Sequence, residues 1–347
     1  MLIGIIGAGI AGLTAGRILS QAGHEVVVFE KSRGFGGRMA TRYYGEEHQI
    51  KMDHGITAFT ASDPGFQSFV DELIGKGLVK EWANTISYHN GEAYYPEHPM
   101  REYQPYYVAP KGMNSIGKYM SRWMDFYQGE KVGGVTYFGN TPQKKRSWMI
   151  NLSTINVVEV DAVIVATPAI QTYGIIQTAQ DETDIRRIIK EIDSVRYTPC
   201  WTMMAGFDPD QKPDWKGIQL NNSDLGWISN ESSKRENGGE NTLVFQSSSE
   251  FAKRTQDQKH DQVMSAMIKA AAPIAGSWVQ SPKWKDLHYW KFSRPEKTIS
   301  KPFLEYRDDT APLAVVGDYF EGGGFESAWL SGKKLADHWK SKFANKK

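Results

Sequence analysis

The first thirty residues constrain the fold of this chain more than any other segment. Residues 2–6 (LIGII) predict a short buried strand, because they form a brief apolar run that ends at glycine. A glycine-rich turn follows, then a helix to about Gln21, and then a second apolar strand over residues 26–29 that ends at Glu30. A strand–helix–strand segment of this spacing builds a parallel βαβ unit with a right-handed crossover. The sequence therefore predicts an α/β fold.

The turn in this unit, residues 7–12 (GAGIAG), fits the GxGxxG pattern of dinucleotide-binding domains. Gly7 would make the tight turn, Gly9 would let the backbone approach a pyrophosphate, and Gly12 would let helix and strand pack closely. The N–H groups at the start of the helix favour phosphate. Glu30 stands 21 residues after Gly9, where an acidic side chain accepts hydrogen bonds from the adenosine ribose. These features together predict a dinucleotide site.

A second loop distinguishes between dinucleotides. Residues 34–42 (GFGGRMATR) resemble the GGR extension of the flavin amine-oxidase superfamily, in which successive glycines allow close backbone approach and Arg38 neutralises a phosphate. Residues 163–168 (VIVATP) resemble that superfamily's second strand–turn motif. Residues 315–318 (VVGD) and the glycines at 322–324 resemble its C-terminal flavin segment, in which Asp318 would accept hydrogen bonds from the ribityl hydroxyls. The resemblance implies FAD rather than NAD as cofactor.

The whole chain looks like a renalase-like FAD-dependent oxidoreductase of the bacterial branch. Further similar segments are residues 108–113 (VAPKGM), 199–201 (PCW), 226–234 (GWISNESSK) and 288–292 (HYWKF). Residues 53–60 (DHGITAFT) align with a segment beside the flavin ring, although Thr57 and Ala58 replace the usual Gln and Tyr, and Tyr289 replaces an Arg. The candidate FAD-binding residues are Gly7, Gly9, Ile10, Ala11, Gly12, Glu30, Lys31, Gly37, Arg38, Met39, Thr57, Val135, Asp318, Phe325 and Glu326.

The resemblance implies an oxidase that passes hydride from a 2- or 6-dihydronicotinamide isomer to FAD and then to dioxygen, giving hydrogen peroxide. Hydride transfer needs no protein nucleophile or metal, but it needs a flat substrate held in a dry, shaped pocket. The candidate catalytic residues are all aromatic: Phe59, Trp201, Trp227, His288 and Trp290. FAD is expected to be non-covalent, because no Cys lies near Phe325. The expected partners are a small-molecule substrate and dioxygen, and no obligate protein partner is inferred.

Three alternatives remain open at this point. An amine or amino-acid oxidase on the same fold would usually place a Lys near the flavin, and Lys291 fits that position poorly. A desaturase-like flavoenzyme would need a long apolar tunnel. A non-catalytic FAD- or NAD-binding module is the hardest alternative to exclude, because Thr57, Ala58 and Tyr289 depart from the family pattern.

The order of the motifs predicts a discontinuous, p-hydroxybenzoate-hydroxylase-like architecture. Residues 1–58, 108–170 and 291–347 would form a Rossmann-type FAD-binding domain. Residues 59–107 and 171–290 would form a mixed β/α substrate domain, which is rich in aromatic side chains between residues 59 and 107.

Composition excludes several other classes of protein. Forty-one basic and 40 acidic residues give a net charge of +1, with no basic stripe for nucleic acid. The single cysteine, Cys200, rules out an internal disulfide and a redox cysteine pair. The eight histidines form no HExxH motif or close ligand pair, so no metal is expected. Residues 112–118 (GMNSIGK) nearly spell a P-loop, but Tyr119 stands where Mg²⁺ chemistry needs Ser or Thr. No apolar run is long enough for a membrane span, and we expect a cytoplasmic protein.

Overall fold

The computed structural model describes residues 1–100, 103–139, 145–154, 156–179, 183–235, 240–306 and 311–344. The chain forms two compact units. Unit 1 consists of Met1–Met39, Ile116–Tyr197 and Arg294–Lys347, and unit 2 consists of Ala40–Ser115 and Thr198–Ser293. Compared with the predicted domain boundaries, residues 40–58, 108–115 and 291–293 lie in unit 2, and residues 171–197 lie in unit 1.

The helices within the described residues are α1 (Ile10–Gln21), α2 (Pro64–Gly75), α3 (Asn114–Met120), α4 (Ala169–Ile176), α5 (Thr183–Ile192), α6 (Ser249–Thr255), α7 (His260–Ala275) and α8 (Phe325–Lys342). The strands are β1 (Leu2–Ile6), β2 (Glu25–Glu30), β3 (Thr41–Tyr44), β4 (Ile50–Asp53), β5 (Lys80–Ala83), β6 (Ser87–His89), β7 (Tyr94–Tyr95), β8 (Tyr106–Val108), β9 (Asp125–Gln128), β10 (Val132–Tyr137), β11 (Trp148–Leu152), β12 (Val157–Val160), β13 (Ala162–Val165), β14 (Arg196–Phe207), β15 (Gly217–Leu220), β16 (Leu225–Asn230), β17 (Asn241–Ser247), β18 (Trp284–Lys297), β19 (Leu304–Tyr306) and β20 (Leu313–Val315).

Unit 1 is built on a six-stranded sheet in the order β19-β20-β13-β1-β2-β9. The neighbours from β20 to β9 pair in parallel, and only β19 runs antiparallel, at one edge. The predicted βαβ unit is confirmed as β1-α1-β2, and a three-stranded antiparallel sheet, β10-β11-β12, belongs to the same unit. The buried side chains of β1, β2 and β13 are almost entirely aliphatic, as expected for strands covered on both faces. The fold class is therefore α/β with a Rossmann-like domain.

Helix α8 packs along α1. One face of α8 is apolar at helical spacing, and its side chains Ala328, Leu335, Ala336 and Trp339 are buried. Gly332 lies on this face, and a Cβ atom placed there would stand 2.2 Å from the carbonyl oxygen of Ala11. Only glycine permits this distance, so the contact between the N-terminal and C-terminal helices depends on this residue.

Helix α3 ends earlier than its local sequence pattern predicts. The sequence pattern extends a helix from Asn114 to about Phe126, but α3 ends at Met120 and residues 125–128 form strand β9 instead. This strand pairs in parallel with β2, and the register places Phe126 opposite Val28. Main-chain hydrogen bonds to the edge of the parallel sheet thus outweigh local helical preference.

Unit 2 is built on a seven-stranded sheet in the order β18-β14-β17-β16-β15-β6-β7. The one parallel pair assigned in it joins β15 to β6. Apolar side chains of this sheet form a core with α6 and α7, among them Phe245, Phe251 and Met267. Two small antiparallel pairs, β3-β4 and β5-β8, complete the unit. No helix within the described ranges is long and apolar enough to cross a membrane.

Candidate functional site

The first glycine turn connects β1 to α1, and its three motif glycines have different structural roles. Gly7 adopts φ +106° and donates its N–H to the carbonyl of Phe29 at 2.9 Å. A Cβ atom at Gly12 would lie 2.4 Å from the Gly7 oxygen, so the protein's own packing requires glycine there. A Cβ atom at Gly9 would meet no atom within 4 Å. The space above Gly9 is therefore open, as a site for a phosphate group needs to be.

The start of α1 is also open to a ligand. Gly9 is the N-cap residue, and no side chain caps the helix. The first-turn N–H groups of an α-helix have no intrahelical acceptor, and they carry the positive end of the helix dipole. Ile10, Ala11 and Gly12 of the predicted cofactor set lie in this turn. The turn can therefore hold the pyrophosphate of a dinucleotide.

Glu30 is held at the end of β2 by donors from two loops. Its Oε2 accepts the Ala8 N–H at 2.8 Å, and its Oε1 accepts the N–H and hydroxyl of Ser32 at 2.9 and 2.6 Å. The side chain is 7% exposed. A carboxylate oxygen has two lone pairs, so Oε2 can accept one further hydrogen bond. This is the donor–acceptor pattern that a ribose hydroxyl would complete.

The second glycine loop lies directly against the first. The Gly36 N–H donates to the Ala8 carbonyl at 2.9 Å, and Gly9 and Gly36 form a parallel bridge. Gly37 adopts φ +55°, a backbone conformation that favours glycine. A Cβ atom at Gly117 would lie 2.9 Å from Gly36, so the apparent P-loop contributes a packing glycine to this loop. Two loops that are distant in sequence thus form one glycine-lined surface in unit 1.

Arg38 and Asp318 form an ion pair in unit 1. The Arg38 Nη1 lies 2.5 Å from the Asp318 Oδ2, and the Tyr197 hydroxyl donates to the Asp318 Oδ1 at 3.1 Å. Burial lowers the pKa of Arg38, but the charge of Asp318 and its hydrogen bond raise it further, so Arg38 remains a cation. Burial, with the nearby charge of Asp318, raises the pKa of Tyr197, which therefore remains a hydroxyl donor. Sequence reasoning missed Tyr197, because nothing local marks it as a partner of residue 318.

The other predicted cofactor residues of unit 1 occupy varied positions. Lys31 is exposed, and its ammonium lies 3.3 Å from the Gln171 side-chain oxygen. Met39 is buried, with its N–H bonded to the Gly36 carbonyl at 3.0 Å. Phe325 and Glu326 begin α8, whose N-cap residue, Gly324, provides no side-chain cap.

Val135 lies in β10 with both backbone polar groups already engaged. Its N–H donates to the Thr178 hydroxyl oxygen at 2.8 Å, and its carbonyl lies 2.8 Å from the same hydroxyl. A contact of FAD with the backbone of Val135, one of the candidate FAD-binding residues, would have to compete with Thr178. Thr178 follows α4, and no sequence pattern connects it to residue 135.

Thr57 lies in unit 2, next to four buried charges that we call the buried charge network: Asp53, Glu231, Lys234 and Arg235. Lys234 and Glu231 form an ion pair in which both side chains are 0% exposed. The Lys234 ammonium also donates to the Thr57 carbonyl at 2.6 Å. Arg235 pairs with Asp53 and, at 3.2 Å, with Glu231.

The buried charge network has two cations and two anions. Burial lowers the pKa of Lys234, and the charges of Glu231 and Asp53 oppose that shift. Asp53 also accepts the Met113 N–H at 2.9 Å, and its own N–H donates to Glu231 at 3.2 Å. The network therefore fixes the backbone of residues 53–57. In the sequence, Asp53, Glu231 and Lys234 stand out only as members of the longer motifs at residues 53–60 and 226–234. The spacing of three and four residues from Glu231 to Lys234 and Arg235 is the one local indication that these side chains can form ion pairs.

Two of the five predicted catalytic residues meet in unit 2. Trp290 and His288 lie on the same side of β18 with ring centroids 4.5 Å apart, and both contact His54. The His54 ring stacks on Trp290 at 5.4 Å, and the Trp290 N–H donates to the His54 carbonyl at 2.8 Å. We call these three residues the aromatic cluster.

His54 is the most deeply buried member of the aromatic cluster. It is 6% exposed, and its Nδ1 atom is buried without a hydrogen bond to the residues that the structure describes. Burial, His288 and Arg42 lower its pKa to about 3. The ring is therefore neutral at physiological pH.

The three other aromatic candidates lie elsewhere in unit 2. Trp201 is 2% exposed, bonds Thr255 at 3.0 Å, and packs against Tyr289, which points to the opposite side of β18 from His288. Phe59 is 6% exposed and packs against Phe66 and Tyr107. Trp227 is half-buried and packs against Tyr106. The structure thus places Trp201 and Phe59 in packed apolar surroundings, apart from the aromatic cluster.

No group of three or more His, Cys, Asp or Glu side chains in the described ranges is arranged to hold a metal ion.

Comparison with known proteins supports the fold. Residues 5–73 match a family described as an NAD(P)-binding Rossmann-like domain. A segment of 89 residues is 35% identical to an L-amino-acid oxidase from Siganus canaliculatus. The matched segment makes up 25% of this chain but only 17% of that relative.

Solved structures match nearly the whole chain. Putrescine oxidase bound to putrescine is 13% identical, with a TM-score of 0.73 over 98% of this chain and 99% of the other. Cyclohexylamine oxidase from Brevibacterium oxydans IH-35A is 12% identical, with a TM-score of 0.73 over 99% of both chains. The chain therefore shares the fold of these two amine oxidases, and its N-terminal part is Rossmann-like.

Proposed function

We propose that the protein is an FAD-dependent oxidoreductase, a renalase-like oxidase that takes hydride from a dihydronicotinamide isomer. Unit 1 is the proposed FAD-binding domain, and unit 2 is the proposed substrate domain. The observation that carries the cofactor assignment is the pair of adjoining glycine loops in unit 1. Open space above Gly9, an uncapped helix start and a fixed carboxylate at Glu30 are what a dinucleotide requires.

The second loop supports FAD rather than NAD. It places Arg38 beside Asp318 within unit 1, so one cation and one anion are held together near the C-terminal glycine segment. When bound, FAD supplies the hydride acceptor and passes the electrons to dioxygen, which yields hydrogen peroxide. Cys200, the only cysteine, is buried in β14, and its thiol donates to the Trp201 carbonyl at 3.3 Å. This supports non-covalent attachment, since the thiol is engaged in packing.

The aromatic cluster supports a flat, neutral substrate. Trp290 offers an indole face, and His54 and His288 are imidazoles whose pKa values lie below the ordinary value. These side chains bind and orient a ring through stacking, and their own burial keeps water away from it. No residue of the cluster needs to act as nucleophile or base, because hydride leaves the substrate with its electron pair.

Amine oxidation is the second candidate, and the fold neighbours favour it, since both are oxidases of amines. The charges near the aromatic cluster argue against it. Arg42 lies 3.2 Å from His288, and Asp286, the carboxylate beside it, is already paired with Arg42. A protonated amine would meet a cation there, whereas a neutral dihydronicotinamide would not.

The cofactor proposal is tested by comparing two identical substitutions. Gly9→Val fills space that no protein atom occupies, and Gly75→Val, in α2 of unit 2, also meets no atom within 4 Å of its Cβ. We expect both variants to fold and Gly75→Val to carry FAD at the wild-type level. Gly9→Val should purify with little FAD, which is measured as the ratio of flavin to protein absorbance. Equal FAD content in both variants would refute the assignment of the first glycine turn.

The substrate proposal is tested by anaerobic stopped-flow spectroscopy of the flavin. The panel consists of the 2-, 4- and 6-dihydro isomers of NAD(P), putrescine, cyclohexylamine and an L-amino acid. We expect rapid bleaching by the 2- or 6-dihydro isomer and none by the amines. Bleaching by an amine alone would establish the second candidate, and no bleaching by any compound would remove both.

A further inference from the structure

We propose that His288 is held as the neutral imidazole with its proton on Nε2, and that this N–H binds a carbonyl oxygen of the substrate. The inference rests on the proposed function for the identity of the substrate, but its structural half stands on unit 2 alone. It deepens the proposed function by naming the substrate feature that is recognised: a neutral carbonyl group, such as the carboxamide of a dihydronicotinamide.

The tautomer follows from the identity of the partner on Nδ1. The Arg42 Nη2 atom lies 3.2 Å from the His288 Nδ1 atom. A guanidinium has five N–H donors, no acceptor, and does not deprotonate in proteins. The His288 Nδ1 must therefore accept this hydrogen bond through its lone pair. In a neutral imidazole the proton is then on Nε2.

Arg42 is itself fixed by two further side chains. It pairs with Asp286, and the Tyr44 hydroxyl donates to the same carboxylate at 2.7 Å. Arg42 and Tyr44 lie two residues apart on β3, and Asp286 and His288 lie two residues apart on β18, so each pair points to one side of its strand. This arrangement gives Arg42 one orientation, with one edge on Asp286 and the other on His288.

The charged and titratable groups facing His288 keep it neutral. These are Arg42 and Asp286 in the ion pair, and His54 across the aromatic cluster. Burial and the Arg42 charge lower the pKa of His288, and Asp286 opposes them. A second proton would also place an N–H on Nδ1 facing the Arg42 donor. The neutral tautomer is thus favoured by charge and by hydrogen-bond geometry together.

The Nε2 atom makes no hydrogen bond with any residue in the described ranges, and His288 is half-buried. A fixed N–H donor beside an indole ring suits a flat molecule with a carbonyl acceptor. It does not suit an ammonium group, which has only donors. His288 is therefore a candidate substrate-binding donor, and Arg42 and Asp286 are positioning residues.

The tautomer is tested by NMR of the purified holoenzyme labelled with [¹⁵N]histidine. His288 is assigned by loss of its signals in His288→Gln, with His338→Gln, an exposed residue of α8, as control. We expect a protonated Nε2 and an unprotonated Nδ1 at neutral pH. In Arg42→Met the His288 pKa should rise and the two tautomers should mix, whereas Arg42→Lys, which retains a donor, should preserve part of the preference. A proton on Nδ1 at neutral pH would overturn the inference whatever the activity.

The carbonyl contact is tested by measuring the binding of the dihydronicotinamide to the wild type, His288→Phe and His288→Gln. A single lost hydrogen bond costs about five- to tenfold. We expect His288→Phe to weaken the binding of the dihydronicotinamide by that factor while FAD remains bound, and His288→Gln, which keeps a terminal N–H donor, to restore most of it. An analogue with a methyl ketone in place of the carboxamide keeps the carbonyl and should behave like the parent compound.

The outcomes separate the two proposals. If no dihydronicotinamide reduces the wild-type flavin, the proposed function fails, and the carbonyl contact fails with it, although the NMR result remains. If reduction proceeds but His288→Phe binds substrate as the wild type does, only the inference about His288 fails.

Discussion

Replacing Lys234 by methionine tests whether the buried charge network holds unit 2 together. The substitution keeps an unbranched apolar stem and removes the ammonium. Glu231 is 0% exposed and would retain the Ser229 hydroxyl at 3.0 Å and Arg235 at 3.2 Å, but it would lose Lys234, the closer of its two counter-ions. The Thr57 carbonyl would lose a donor at 2.6 Å.

The expected cost follows from this loss. Removing one partner of a fully buried ion pair destabilises proteins by about 3–5 kcal/mol. With a shift of about 2–4 °C per kcal/mol for a unit of 150–250 residues, the melting temperature should fall by about 6–20 °C. The assay is thermal unfolding followed by circular dichroism, with chemical denaturation to give the free energy of unfolding.

The matched control is Lys333→Met. Lys333 pairs with Asp337 on the exposed surface of α8, and an exposed pair contributes only about 0–1 kcal/mol. The double variant Lys234→Met, Glu231→Gln removes one charge of each sign and should be less destabilised than Lys234→Met alone. If Lys234→Met costs no more than Lys333→Met, the reasoning about charge compensation in this network is refuted.

Three further predictions concern packing, acid stability and catalysis. Gly332→Ala should destabilise unit 1 strongly, because the added Cβ meets the backbone of Ala11. The control Gly174→Ala, in α4, should be neutral or slightly stabilising, because its added Cβ would meet no atom within 4 Å. The free energy of unfolding of both variants, from chemical denaturation, checks this. The pKa of His54 is about 3 in the folded protein and 6.5 in the unfolded chain, so below pH 6.5 the unfolded chain binds a proton that the folded protein does not. The contribution of His54 to the free energy of unfolding should therefore be complete above pH 6.5 and fall by about 1.4 kcal/mol per pH unit below it. His54→Phe should remove that slope in a denaturation series from about pH 4.5 to 7.5. Trp290→Ala should slow flavin reduction in stopped flow and leave FAD content unchanged, and a variant that loses FAD instead would assign Trp290 to cofactor binding.

The Rossmann-like part of the fold could be predicted because its signals are local. The strand, the glycine turn and the acidic residue at Glu30 occupy one continuous segment. Gly7 has a backbone reason and Gly12 a packing reason to be glycine, while Gly9 leaves open space. The end of α3 could not be predicted, because strand β9 forms through pairing with β2, far away in sequence. Local preference carries no information about an open sheet edge elsewhere in the chain.

The candidate site was predictable only in part, for the same reason. The candidates Trp290 and His288 are two residues apart on one strand, so their proximity follows from strand geometry. Their contacts with His54 and Arg42 join segments more than 200 residues apart, and no pattern in the sequence specifies them. Aromatic character alone also selected Trp201, whose indole is buried and bonded within the core of unit 2.

The contact between α1 and α8 has a consequence for biosynthesis. Helix α1 ends at Gln21, and the helix that covers it begins at Phe325, so the ribosome must translate most of the chain between them. At 5–20 residues per second that interval lasts about 15–60 s. During this time the side of α1 that α8 covers and the edge of the parallel sheet at β13, where β20 later pairs, have no native partner. Unit 1 is therefore completed only after α8 leaves the ribosome, and until then the nascent chain exposes surfaces that are prone to aggregation.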